Sequence, residues 1–352
     1  ITRKSKVKEL IIPQFSRLLD RKDPCILFTR TQEDNKTRNI WGYPIVDTLN
    51  EMRYYRPLLQ FQKALLWRSA LCGPDTVDKN ITRIINESGS SYLVSIDFSL
   101  YDTSVQIGLQ EESFNYIKKL FQFECAKDLD YIAHRFNTIG LITPDGILEG
   151  QHGVPSGSTF TNEVDSIAQF LCAKDFGINE RTMDIQGDDG VYSTLQPYEL
   201  LRHFEKFGLV VNTEKCHISK SECIYLQNLY SKDYIRNGIY RGVYSTYRAL
   251  NRIIFPERYA NYNDYGITGA DYNSIRTISI LENCRFHPLF EELVKFVAKI
   301  DKFSLCYSQQ GLTDYIRRIQ KIKGVEGIFR YRRGDDLSGI RSFETSKILS
   351  SI

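Results

Sequence analysis

The tetrapeptide Gly187-Asp188-Asp189-Gly190 constrains this chain more than any other stretch. Short runs suited to strands flank it, Met183 to Gln186 before and Val191 to Leu195 after. Glycines around two acids, between two such runs, predict a tight β-hairpin. Adjacent carboxylates at a turn repel, and each raises the pKa of the other. A bound divalent cation removes that problem. Magnesium takes hard oxygen ligands, few of them from protein, and leaves positions for phosphates. A plain Asp-Gly surface hairpin is the bland alternative, and the tetrapeptide alone does not exclude it.

Context separates the two readings. A second Gly-Asp-Asp stands at Gly334-Asp335-Asp336, after Arg330-Tyr331-Arg332-Arg333 and before Leu337-Ser338-Gly339. No buried strand precedes it, so a solvated turn is expected there. The first copy has a distant companion. Tyr92 to Asp97 predicts a strand, with Tyr92, Val94 and Ile96 on one face and Leu93, Ser95 and Asp97 on the other. A lone carboxylate ending an apolar strand is costly unless something uses it. Beside the hairpin in one sheet, Asp97 would complete a metal site. Two metals about 4 Å apart can activate a 3′-hydroxyl and steady a leaving pyrophosphate. Asp102 lies past the strand end, where it could meet an incoming ribose.

Two further pieces follow along the chain. Gly153-Val154-Pro155-Ser156-Gly157, with Thr161 and Asp165 beyond, predicts a flexible loop opening onto a helix N-terminus. Such a place suits a phosphate or nucleotide, although a simple cap at Ser156 would also explain the serine. Lys215, in Asn212-Thr213-Glu214-Lys215, could protonate a departing pyrophosphate; most such lysines are merely solvated.

The remaining pattern is mixed. Thr48 to Trp67 and residues near 110 to 135 read as helical, and Thr143-Pro144-Asp145-Gly146 as a turn. A helix is expected after Gly157, with Val164, Ile167, Leu171 and Cys172 on one side. Pro197 suits the first turn of a helix to Phe207, Gly208 can end it, and Leu209 to Asn212 can be a strand. From Tyr92 to Asn212 the order fits a split β-α-β, ferredoxin-like sheet. From Ser231 the pattern turns helical, and Leu289, Phe290, Leu293, Val294, Val297 and Ile300 form the best apolar stripe, expected to be core.

Bulk properties narrow the class. At 352 residues the chain can hold several packed subdomains. It has no apolar run of about 18 residues, so no membrane span is expected. No signal peptide shows, and the absence of an initial Met suggests a fragment. Net charge is only +3, but basic residues gather at Arg3, Lys4, Lys6 and Lys8, and at Arg317, Arg318, Lys321, Lys323, Arg330, Arg332 and Arg333. Such runs suit a phosphate backbone or a solvated face. Eight scattered cysteines form no CxxC pair, which favours reduced thiols. Neither Cys216, His217 and Cys223 nor Cys284 and His287 supplies four spaced zinc ligands.

Together these pieces resemble the viral RNA-directed RNA polymerases, with the flavour of partitiviruses and picobirnaviruses, whose genomes are double-stranded RNA. Asp97-Phe98-Ser99-Leu100-Tyr101-Asp102 resembles motif A, Ser156-Gly157 with Thr161 motif B, and Gly187-Asp188-Asp189 motif C. Pro197 to Lys215 looks like motif D, Ile224-Tyr225-Leu226-Gln227 through Tyr230 like motif E, and Lys36-Thr37-Arg38-Asn39-Ile40-Trp41-Gly42-Tyr43-Pro44 like motif F. The match covers about residues 30 to 230, and the motifs' order carries it because independent coincidences multiply.

The resemblance implies an α+β, right-hand polymerase fold with a ferredoxin-like palm, partial fingers and a helical thumb. Fingers would span residues 1–91, with motif F near 30–44, and an insertion at 110–150. The palm would span 92–109 and 151–230, and the thumb and C-terminal segment 231–352. Asp97 and Asp188 would hold Mg2+, or Mn2+, with Asp189 helping. Asp102, Ser156, Gly157, Thr161 and Asp165 would sense the ribose. Lys36 and Arg38, with Arg30, would meet the triphosphate, Lys215 would be the general acid, and Tyr225 to Tyr230 would support the primer strand. Expected partners are RNA template and product, ribonucleoside triphosphates and a viral capsid protein, in the host cytoplasm within a virion or replication particle. Asp165 stands where many single-stranded RNA virus relatives carry Asn, and an ionised Asp cannot donate a hydrogen bond. A reverse transcriptase is the nearest rival enzyme, but its signature puts an aromatic residue where this chain has Gln186. A non-catalytic RNA-binding module is the rival from another class; it would be signalled by loss of Asp97 or Asp188, and both are present.

Overall fold

The computed structural model describes residues 4–31, 37–256, 266–323, 333–335 and 337–352. Two compact units divide the chain: residues 1–68 with 90–218, and residues 69–89 with 219–352. No helix among the described residues is long and apolar enough to cross a membrane.

The first unit holds strands β1 (Cys25–Thr31), β2 (Thr37–Gly42), β3 (Tyr92–Ile96), β4 (Leu141–Thr143), β5 (Gly146–Leu148), β6 (Met183–Gln186), β7 (Asp189–Thr194) and β8 (His217–Ser219). One sheet has the order β2-β1-β4-β5 and the other β6-β7-β3-β8. In the second, β3 pairs antiparallel with β7, and β7 with β6. Counted along the chain, its strands lie in the order second, third, first, fourth, which is the split β-α-β arrangement. Leu93, Val94, Ser95 and Ile96 are all buried, so β3 is covered on both faces rather than one. That explains why its apolar residues run on instead of alternating strictly.

Helices Thr161–Phe176 and Pro197–Lys206 pack on each other and reach β6 and β3 respectively. The second starts at Pro197, buries Leu200, Leu201 and Phe204, and is followed by Gly208 at φ +85°. A proline at N1 and a left-handed glycine after the end bound the helix from both sides. The strand expected at Leu209 to Asn212 is reduced to a single bridge, Val211 to Phe98. The fourth strand of the sheet is β8 instead.

The second unit departs further from expectation. Residues after Ser231 do not turn directly helical. Strands β9 (Glu222–Tyr225) and β10 (Asn228–Ser231) lead up to that point, and after it a single 3-10 turn at Lys232–Tyr234 and strands β11 (Ile235–Arg236), β12 (Ile239–Tyr240) and β13 (Val243–Tyr244) precede the first α-helix. Helices Thr246–Ile254, Gly269–Glu282, Phe290–Ile300, Gln309–Lys323 and Glu344–Leu349 follow. Ile275, Ile278, Leu281, Leu293, Val294, Val297, Ile340 and Phe343 share one apolar cluster. Of the expected stripe, Phe290, Leu293, Val294 and Val297 are buried, whereas Leu289 and Ile300 are exposed. Periodicity marks a helical face, but only neighbouring elements decide how wide a face is covered.

Of the second Gly-Asp-Asp, where a solvated turn was expected, the described part lies in the one-turn helix Arg333–Asp335. Gly334 is buried and its N–H donates to Asn283 Oδ1 at 3.3 Å. A Cβ at that position would overlap the Ser279 carbonyl. Arg333 pairs with the buried Asp78. Asp336 lies outside the described residues.

Candidate active site

β6 and β7 pair up to Gln186 and Asp189, so Gly187 and Asp188 alone make the turn. Gly187 has φ +64°, a conformation that a side chain resists, which is why glycine leads this two-residue turn. Asp188 is exposed at the tip, and Asp189 is already the first residue of β7. Both backbone groups of Gly187 are held: its N–H donates to Ser166 Oγ at 2.8 Å, and its carbonyl accepts from Gln169 Nε2 at 2.6 Å.

Asp97 follows β3 directly, one strand away in the same sheet. Its carbonyl accepts from the Asn212 N–H at 2.8 Å, and its N–H lies 3.5 Å from Cys216 Sγ. Asp102 sits in the short helix Tyr101–Ser104, which starts after Leu100 at φ +52°.

Charge ties these positions together. The carboxyl of Asp188 is held above its ordinary range, first by surrounding protein and also by the charge of Asp97, with Arg38 opposing. Burial and then Asp188 raise Asp102, again against Arg38. Asp165 is pushed well up by burial, then by Asp102 and Asp188. It is 4 % exposed, and its Oδ1 has no hydrogen-bond partner. Its backbone carbonyl accepts from the Tyr101 hydroxyl at 2.9 Å. Asp97, Asp102, Asp165 and Asp188 thus share one field, with Arg38 as the cation opposing it.

Arg38 is exposed on β2, directly across from Arg30 on β1. Like charges placed opposite on paired strands destabilise them, unless an anion is shared. Lys36 lies outside the described residues.

The loop before helix Thr161–Phe176 is built differently from the flexible segment expected. Its glycines serve close approach: a Cβ on Gly153 would overlap the Asp102 carbonyl, and one on Gly157 the Trp41 carbonyl. Val154 N–H donates to the Asp102 carbonyl at 2.6 Å. Ser156 caps no helix; its Oγ accepts from the Trp41 N–H at 3.2 Å. Thr161 Oγ1 donates to the Pro155 carbonyl at 2.8 Å. So Ser156, Gly157 and Thr161 tie the loop to β2 and to itself. Lys215 stands exposed in the turn after Asn212, with no ion pair among the described residues.

Several supporting residues escaped the sequence. Glu51, 2 % exposed on helix Ile45–Gln62, accepts from Ser158 Oγ at 2.8 Å and from Thr159 N–H at 2.7 Å. Burial pushes its carboxyl up to about 7, against the lowering effect of those bonds. Arg68, Asn162, Ser166 and Gln169 lie behind the turn. The only outward signal was a charge, Arg68, inside the apolar run Leu65 to Cys72.

The donor set discriminates among metals. Among the described residues no three His, Cys, Asp or Glu side chains form a ready cage. A closed zinc site takes four such ligands. Sparse carboxylates short of counter-charge, open to solvent at Asp188, fit magnesium, which draws most of its ligands from water and phosphate.

Comparison with known proteins gives a consistent picture. A family model described as viral RNA-dependent RNA polymerase matches residues 21–300. A potential RNA-dependent RNA polymerase of a human picobirnavirus is 29% identical over 304 residues, 80% of this chain and 54% of that one. An RNA-directed RNA polymerase of Cryptosporidium parvum virus 1 is 24% identical over 218 residues, 55% of this chain and 41% of that one. The chain therefore spans about half the length of these relatives. The crystal structure of the RNA-dependent RNA polymerase of a human picobirnavirus superposes with a TM-score of 0.79 at 28% identity, covering 93% of this chain and 65% of that one. Its insertion-loop deletion mutant gives 0.76 at 27% identity, covering 93% and 64%.

Proposed function

This chain belongs to the viral RNA-dependent RNA polymerase family, and from that premise we propose that it adds ribonucleotides to an RNA 3′ end under template direction. The observation that carries the reading is the placement of Asp97, at the end of β3, beside the Gly187–Asp188 turn on the neighbouring strand of one sheet, and the raised carboxyls of Asp102, Asp165 and Asp188 agree with it. Carboxylates that raise one another's pKa store a repulsion that bound cations relieve. A pair of magnesium ions, or manganese, would activate the 3′-hydroxyl and stabilise charge on the leaving pyrophosphate. Asp97 and Asp188 would hold them, with Asp189 beside them.

The other residues bind, orient and move protons. Arg38, with Lys36 and Arg30, takes the triphosphate. Asp102, Ser156, Gly157, Thr161 and Asp165 form the ribose side, with Ser156 and Thr161 also fixing the loop. A protonated carboxyl has one O–H to donate, so a buried neutral Asp165 can do what an amide does at that place. Lys215, free in its turn, gives the proton to pyrophosphate.

In the same reading, residues 1–91 and 110–150 are fingers, 92–109 and 151–230 palm, and 231–352 thumb and C-terminal segment. Template and product RNA and ribonucleoside triphosphates are the substrates. A capsid protein is a further partner, and the host cytoplasm, within a virion or replication particle, is the setting.

Primer extension on an RNA template, with magnesium, manganese or chelator, tests the proposal. Ribonucleotide incorporation that chelator abolishes is expected. Preference for deoxyribonucleotides, or synthesis in chelator, would overturn it. Arg38→Ala should raise the KM for nucleotides by about tenfold through lost phosphate contacts, and an unaltered KM would remove Arg38 from that role.

A further inference from the structure

Behind the Gly187–Asp188 turn lies a wholly buried ion pair. Arg68 and Glu163 have side chains 0 % and 1 % exposed, with Nη2 and Oε1 3.0 Å apart. A charge taken fully out of water is tolerated only with a good set of partners, and replacing such a pair by apolar groups is often no loss to stability. Stability alone therefore does not account for the pair. Its partners point to a further role. Arg68 Nη1 donates to Ser166 Oγ and to the Ile185 carbonyl at 3.4 Å. Nη2 also reaches Asn162 Oδ1 at 3.3 Å.

Ser166 is the node. Its hydroxyl donates to the Asn162 carbonyl at 2.6 Å and accepts from Arg68 and from the Gly187 N–H. One donor and two acceptor positions are all that a hydroxyl has, so its orientation is fixed. Asn162 Oδ1 also accepts from Gln186 Nε2 at 2.9 Å, on the residue before the turn. The preceding backbone is held as well, since the Ile185 N–H donates to the Trp67 carbonyl at 2.9 Å. Residues 67 and 68 thus grip the strand leading into the turn, through main chain and side chain together.

We propose that Arg68, acting through Ser166 and Asn162, is a positioning residue that sets the Gly187–Asp188 turn and hence the direction of the Asp188 carboxylate. The inference rests on reading Asp188 as a metal ligand. Groups that orient a ligand without touching the metal commonly change metal affinity or activity when removed.

The test uses the full chain and the variants Ser166→Ala, which is small enough to preserve packing, and Arg68→Lys, which keeps the charge and loses the fork. Three quantities are read: Mn2+ affinity by paramagnetic resonance of the free ion, hydrogen exchange at the Gly187 amide, and kcat and KM in primer extension. Both variants should weaken Mn2+ binding and lower kcat by about tenfold, leaving the nucleotide KM within about twofold. Exchange at Gly187 should quicken in Ser166→Ala while other β6 and β7 amides keep their protection. A purely structural pair would shift Tm alone. If Mn2+ affinity, Gly187 exchange and kcat per folded molecule all stay within about twofold of wild type, the positioning role is wrong. Should Arg68→Lys fail to fold, Ser166→Ala decides. Should the wild-type chain extend no primer, the polymerase reading falls, while Mn2+ affinity and Gly187 exchange still judge the turn.

Discussion

Gly-Asp-Asp occurs at residues 187–189 and again at 334–336, and the two copies need their glycine for different reasons. Gly187 leads a two-residue hairpin turn at φ +64°, between paired strands, with Asp188 exposed at the tip. Gly334 sits in a one-turn helix, and there a Cβ would overlap the Ser279 carbonyl. One glycine answers a backbone angle and the other a close approach. The tripeptide is the same, so chemistry cannot be read from it alone; the neighbours decide whether its acids meet another carboxylate.

The sharpest break between the copies is charge removal. Asp188→Ala should lower nucleotide addition by more than about 100-fold with RNA binding retained, whereas Asp335→Ala should change it by less than about twofold. Comparable loss in both, measured by single-turnover extension, would erase the distinction. Gly334→Ala comes next. It should cost about 1–3 kcal/mol of stability in denaturant titration and leave kcat per folded molecule unchanged. Gly187→Ala should cost about 1 kcal/mol, from the positive φ, and lower kcat instead. Reversal of that pattern would mean that the turn does not set the chemistry.

Glu51 gives the active-site side a pH signature. Burial pushes its folded carboxyl up to about 7, above the ordinary glutamate value of 4.5. A raised folded pKa means that the folded state binds the extra proton between those values. The associated stability is fully present below pH 4.5 and is lost as pH rises through 7. Glu51→Gln should flatten that decline, by about 1–3 kcal/mol across the window. An unchanged pH slope for the variant would place the titration elsewhere. The smallest effect concerns Asp165. Asp165→Leu, which lacks a donor, should reduce preference for ribose over deoxyribose by about tenfold, and Asp165→Asn by under about threefold. Equal loss in both would contradict a role in which the group donates a hydrogen bond.

Legibility in the sequence followed locality. The hairpin around Gly187 and the helix from Pro197 to Lys206 were readable because turn and end signals lie within a few residues. β8 was not, because His217–Ser219 gains its place only by pairing in a sheet assembled from distant strands. Gly153 and Gly157 read as part of a flexible loop, yet they sit in close approach to Asp102 and Trp41, residues far away along the chain. Leu289 and Ile300 obeyed helical spacing and still face solvent. Of the candidate site, Asp97, Asp102, Asp165, Asp188 and Arg38 share an electrostatic field, whereas Lys215 stands exposed in its own turn. Glu51 stayed hidden, and Arg68 showed only as a charge in an apolar run, because the role of a buried charge is set by partners distant in sequence.

The central claim is that carboxylates at 97 and 188 jointly hold divalent cations. Anomalous scattering from crystals soaked in Mn2+ with a nucleotide measures this directly. The account predicts a Mn2+ peak within bonding distance of both carboxylates, lost in Asp188→Ala. Mn2+ bound only elsewhere, or a peak at this site unaffected by that substitution, would contradict it.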